Sequence, residues 1–258
     1  MKRKRLIIWV LSLLVFIGCS VYVGHYFVSV SEDNAEISQI QDIVRAEEEK
    51  TSGKQPNENQ EEEPITYAEN GMISKYYPLY QRNNDITGWL KVDGTNIDYP
   101  VMYTNDGNEF YLRRGFDKEK NASGMLFLDY ECNFTDSDNL IIYGHNMRSG
   151  TMLSELLKYK NKSFFDENGY ISFDSLYNTG RYRVIGAFYA TKKTDFRYYE
   201  FIKAADINEY NNYVTRVKEL SLYETNETAA YGETLLTLST CSYNSSDERF
   251  VVVTKKIG

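Results

Sequence analysis

A mostly β domain, a barrel or sandwich with few helices, is what this sequence predicts. Three observations lead there. Runs of strand length rich in Val, Ile, Leu and Tyr recur from residue 88 onward, and Gly, Asn and Asp bound them. Only two stretches beyond that point keep an apolar period of helical spacing.

The elements follow in chain order. "YAENGMISKYYPLYQRNND" (67–85) sets Met72, Ile73, Tyr76, Tyr77 and Tyr80 at helical spacing, with Pro78 placed to kink or divide the helix. Eight strands are then expected: "GWLKV" (88–92), "IDYPVMY" (97–103), "GMLFLDY" (124–130), "NLIIYGH" (139–145), "YISF" (170–173), "RYRVIGAFYA" (181–190), "ETLLTLST" (233–240) and "RFVVVTKK" (249–256). A short helix fits "GTMLSELLKYK" (150–160). A longer one fits 205–224, with Ile207, Tyr210, Val214, Val217 and Leu220 as its apolar stripe. Asp206 is its expected N-cap, and Glu209 completes the capping pattern.

Charge is unevenly distributed. The 258 residues carry a formal −8, which argues against a general nucleic-acid binder, since such proteins need a basic face to displace counterions. Residues 1–5, "MKRKR", form a basic tail. Residues 6–30 contain no Asp, Glu, Lys or Arg and are long enough to cross a bilayer as a helix. The bases before them and Glu32, Asp33 and Glu36 after them predict a single-pass anchor in the cell membrane. Its N-terminus is then cytoplasmic and everything beyond lies outside. Residues 31–64 hold eleven acids and three bases and predict a flexible, solvated linker with a short polar helix at 38–50. The folded domain is expected over 65–258.

Three side chains at strand mouths carry the chemistry. His145 ends the "NLIIY" run and is the only histidine beyond the N-terminal apolar segment, which holds His25. Cys241 ends one apolar strand and Arg249 opens the next, eight residues on. Thiol attack on an amide needs thiolate character, a proton donor for the leaving amine and a donor for the oxyanion. These three side chains supply one of each. A short loop between antiparallel neighbours would bring Cys241 and Arg249 to one barrel end. Read without chemistry, Cys241 is a small buried hydrophobe and Arg249 a partner of Asp247 or Glu248. Cys132 and Cys241 also permit a disulfide. One external histidine does not make a zinc site, and neither a G-x-S-x-G elbow nor a phosphate-binding loop is present.

"TLSTC" (237–241), an Arg before the "VVV" strand and "YGHNM" (143–147) together resemble the sortases, the cysteine transpeptidases that attach proteins to the Gram-positive cell wall. The similarity spans 67–258, and the helical stretch at 206–223 is similar to class B. The resemblance implies an eight-stranded sortase-type barrel whose cleft binds a Pro-x-Thr-type sorting motif of secreted proteins. It implies Cys241 as nucleophile, Arg249 at the oxyanion and His145 as proton donor and then base, with a peptidoglycan-precursor amine as acceptor. By position it places Asn108, Leu112, Tyr143, Tyr199 and Ser239 along the substrate groove, with Tyr198 as the alternative to Tyr199. Neither metal nor organic cofactor is implied, so activity without Ca²⁺ is expected. Pilin polymerisation, hydrolysis by a plain cysteine peptidase and a binding-only adaptor remain the alternatives.

Overall fold

A computed structural model describes residues 2–52, 65–107, 110–191, 196–242 and 247–258. Within its first helix, the side chains of 2–8, 10, 22, 25–30, 32–34, 51 and 52 lie outside the description. The strands are β1 (Ile86–Val92), β2 (Asp98–Met102), β3 (Leu126–Leu128), β4 (Asn139–Tyr143), β5 (Tyr170–Ser175), β6 (Arg181–Thr191), β7 (Leu235–Cys241) and β8 (Glu248–Lys256). Each coincides with one of the expected runs. They close into a barrel in the order β1-β2-β3-β4-β7-β8-β6-β5. Two pairings are parallel, β2 with β3 and β4 with β7, and the others are antiparallel.

Burial explains why β7 and β8 read as continuous apolar runs rather than alternating ones. Leu236, Leu238, Phe250 and Val252 join the main core with β1–β5. Their neighbours Leu235, Val251 and Val253 belong to a second core with Tyr210, Tyr213, Val214 and Val217. Those four project from a helix, Ile207–Leu220, which packs on β6. Strands covered on both faces have no polar side to show. The helix starts where its cap predicts: Asp206 accepts hydrogen bonds from Asn208 N (2.8 Å) and Glu209 N (3.0 Å). Such a cap contributes about 1 kcal/mol. Glu209 reaches back to Ala205 N, one residue earlier than the expected capping box. Ile207, placed on the apolar stripe, is exposed, and Tyr213 takes its share of the burial.

Pro78 divides the 67–85 segment as expected, into a 3₁₀ turn at Ser74–Tyr76 and a short helix at Tyr77–Arg82. The helix expected at 150–160 is a 3₁₀ segment, Ser154–Lys160.

The N-terminal region differs most from expectation. One helix runs from Lys2 to Ser52, so the short polar helix at 38–50 is the end of a much longer one. It is also not solvated all round. Ile37, Ile40 and Val44, at i, i+3 and i+7 spacing, are buried in the main core. Gln41 Nε2 donates to Asp98 O at 2.8 Å, and Lys75 pairs with Glu48 at 2.9 Å. Acidic composition concealed a narrow apolar stripe, and the packed unit therefore begins well before residue 65. Of the linker expected at 31–64, residues 53–64 lie outside the described residues. Among the described residues, no helix is long and apolar enough to cross a membrane, so the expected span at 6–30 is not found there. Trp9, Leu14, Val15 and Phe16 of that helix are exposed.

Candidate active site

Two registers bring the three chemical side chains together. Antiparallel pairing of β7 with β8 sets Cys241 directly opposite Arg249. Side chains of directly opposed residues share a face. Parallel pairing of β4 with β7 sets Tyr143 beside Ser239. Two residues further along, His145 comes abreast of Cys241. The bonds around that step confirm the register: Gly144 N donates to Ser239 O (3.2 Å), Thr240 Oγ1 to Gly144 O (2.7 Å) and Asn146 Nδ2 to Cys241 O (2.9 Å). Gly144 matters for close approach rather than for a special backbone angle. A Cβ there would lie 2.3 Å from Leu126 Cδ2 and 2.8 Å from Leu153 Cγ.

Electrostatics give His145 a defined state. Its imidazole is half-buried, and burial lowers its pKa below the usual 6.5. The positive charges of Arg113 and Arg249 act in the same direction, and a hydrogen bond to Leu112 opposes them. That bond joins Nε2 to the Leu112 carbonyl at 2.7 Å. A carbonyl only accepts, so Nε2 carries the proton and Nδ1 is the nitrogen left to exchange one. Near neutral pH the ring is therefore a neutral base with its lone pair on Nδ1.

A cavity of about 210 Å³ opens beside Arg249, lined by Tyr143, Tyr198, Tyr199, Phe196 and Asp247 among others. Of the five expected groove residues, Tyr143 and Tyr199 line it. Ser239 does not present itself to the cavity: it is buried, and its hydroxyl shares a 2.7 Å bond with Tyr198 OH. Tyr198 thus stands over Ser239, and Tyr198 and Tyr199 both belong to the wall. The Tyr198 phenol is pushed up to about 12, chiefly by burial; Ser239 and Arg249 pull it down, and Cys241 pushes it up. Tyr198 is thus within electrostatic reach of both the thiol and the guanidinium. Leu112 contributes its backbone carbonyl to His145, and Asn108 lies outside the described residues.

Arg249 Nη1 donates to the carbonyl of Glu248 at 3.2 Å, while the Glu248 carboxylate accepts from Ser242 Oγ. All three cysteines are free, so the Cys132–Cys241 disulfide does not form. Sequence reasoning missed two members of the site, the Leu112 carbonyl and the Asn146 amide. The first leaves no trace in side-chain identity. The second was legible as the residue after His145.

The sortase domain family model matches residues 90–257. This chain belongs to the sortase family. Its relatives are of class B: the sortase B of Listeria monocytogenes is 34% identical over 173 residues, covering 66% of this chain and 68% of that one. Sortase B of Clostridium perfringens superposes with a TM-score of 0.66 at 34% identity, covering 70% of this chain and 99% of that one. A Staphylococcus aureus sortase B–substrate complex superposes at 0.74 with 26% identity, covering 88% and 97%. The sortase is accordingly a cysteine transpeptidase with a closed eight-stranded barrel and accessory helices.

Proposed function

We propose that this sortase cleaves a Pro-x-Thr-type sorting motif after its threonine and transfers the acyl group to an amine of a peptidoglycan precursor. The observation that carries the reading is the meeting of His145, Cys241 and Arg249 at one barrel end beside a tyrosine-walled cavity. Cys241 gives its thiol proton to His145 Nδ1 as sulfur attacks the threonyl carbonyl. A C–S bond forms, and the carbonyl π pair moves to oxygen, where Arg249 N–H groups stabilise the charge. Collapse breaks the C–N bond, and the amine leaves with the proton from Nδ1. The acceptor amine then gives a proton to Nδ1 and attacks the thioester. Its C–N bond replaces C–S, and the thiolate regains the proton.

The apolar, uncharged sequence 6–30 supports an N-terminal membrane anchor that holds the barrel outside the cell. Intact mass of the whole chain in detergent, incubated with Pro-x-Thr peptides, tests the chemistry. An acyl adduct absent in Cys241→Ala and converted to an amide by an added glycine-type amine supports transpeptidation. Adducts resolved only by water would point to a peptidase instead.

A further inference from the structure

His145 is held by a carbonyl, and the structure shows what holds that carbonyl. The 3₁₀ turn Tyr111–Arg113 directs each of its three carbonyls to one donor. Tyr111 O accepts from Met125 N at 3.0 Å, Leu112 O from His145 Nε2 at 2.7 Å, and Arg113 O from Asn121 N at 3.1 Å. The imidazole bond is the middle member of that set.

Two independent features set the height of the turn. Tyr111 is buried, and its hydroxyl donates to Asp85 Oδ2 at 2.7 Å while accepting from Asn83 Nδ2 at 2.9 Å. Lys118 in turn pairs with Asp85 at 2.9 Å. On the other side lies Gly124, at φ +58, where a Cβ would come within 2.5 Å of Leu112 O and 2.7 Å of Tyr111 O. Any side chain there would strike the carbonyl that holds the ring.

We propose that Tyr111 is a positioning residue for His145: with Asp85 beneath it and Gly124 beside it, it fixes the Leu112 carbonyl that selects the imidazole tautomer. The inference rests on the reading of His145 as the proton-transferring group. Without the carbonyl, the proton is free to sit on Nδ1, and the base needed toward the cleft is lost. On this reading Nδ1 serves proton transfer, so the effect is expected in kcat rather than in KM.

The test uses the full chain in detergent, with ¹⁵N-labelled histidine in a His25→Gln background. Tyr111→Phe is expected to lower kcat about tenfold with KM for the peptide unchanged, and Gly124→Ala, which also displaces the Leu112 backbone, to lower kcat about a hundredfold. The His145 ¹⁵N shifts should move from a bare Nδ1 toward a tautomer mixture in both. Asp85→Asn, which keeps an acceptor oxygen, should retain most of kcat, whereas Asp85→Leu should match Tyr111→Phe. Thermal melts and alkylation of Cys241 confirm the fold, and Tyr111→Phe carries the test if Gly124→Ala does not fold. Unchanged kcat and unchanged ¹⁵N shifts in folded Tyr111→Phe, with His145→Ala inactive, overturn the inference alone. Full turnover in His145→Ala overturns the reading of His145 and the inference's catalytic half together, while the ¹⁵N shifts still decide whether Tyr111 sets the tautomer.

Discussion

Cys132 and Cys241 are the same side chain in two settings, and the contrast bears on the nucleophile role proposed for Cys241. Cys132 is buried in the turn after β3. Its Sγ donates to Asn139 O (3.5 Å) and accepts from Ile141 N (3.3 Å). Burial pushes its pKa up to about 12, and the charges of Asp129 and Glu131 add to the rise. Cys241 ends its strand half-buried, opposite a guanidinium and abreast of a neutral imidazole. Burial and two carboxylates oppose ionisation of Cys132 more than the Ile141 N–H favours it, whereas Cys241 stands beside a proton acceptor and a fixed positive charge. Burial and neighbouring charge, more than the residue type, separate a packing residue from the proposed nucleophile.

The largest expected effect separates the two directly. Cys241→Ala should lower transpeptidation on the order of 10⁶-fold, the scale seen when a nucleophile is removed. Cys132→Ala should keep turnover within about twofold and lose about 1 kcal/mol of stability by denaturant titration. Substantial activity loss in a folded Cys132→Ala would erase the distinction. Next in size is Arg249→Lys, which keeps the charge but not the planar fork of donors. A fall in kcat of about 10²–10³-fold, measured by single-turnover acylation, is expected if the guanidinium binds the oxyanion. In a Cys19→Ser background, iodoacetamide should label one thiol, Cys241, at native conditions. Cys132 should react only at the rate of unfolding, as peptide mapping would show.

Much of this contrast was legible in the sequence, for identifiable reasons. The eight strands were readable because β-branched and aromatic runs end at Gly, Asn and Asp. The cysteine and arginine were placed together because a short loop joins antiparallel neighbours. The imidazole was harder, because its position depends on the parallel pairing of β4 with β7, two strands separated by about 90 residues that no local pattern links. Ser239 was read as groove wall because the family resemblance places it there by position, two residues before Cys241 on the same strand face. That face is right, but Tyr198 covers it. The buried stripe Ile37, Ile40 and Val44 was masked by the surrounding glutamates. Leu112 carried its function in a backbone atom, which side-chain chemistry cannot announce.

The smallest expected effect, the pH dependence of stability, sharpens the comparison because the two ends of the barrel respond at opposite edges. For Cys132 the folded pKa of about 12 lies above the ordinary 9.0. The unfolded thiol ionises first as pH rises, so its contribution is complete below pH 9.0 and is lost between there and about 12. For His145 the folded pKa lies below 6.5, so the unfolded chain takes up a proton first on acidification. Stability is therefore complete above 6.5 and declines as pH falls toward the folded value. Thermal melts across both edges check the assignment. Cys132→Ala should flatten only part of the alkaline decline, because burial also lifts phenols such as Tyr182 and Tyr198, and His145→Gln only part of the acid one. If Cys132→Ala left the alkaline edge unchanged, the buried thiol would not be the group titrating there, and the contrast between the two cysteines would reduce to their neighbours at neutral pH.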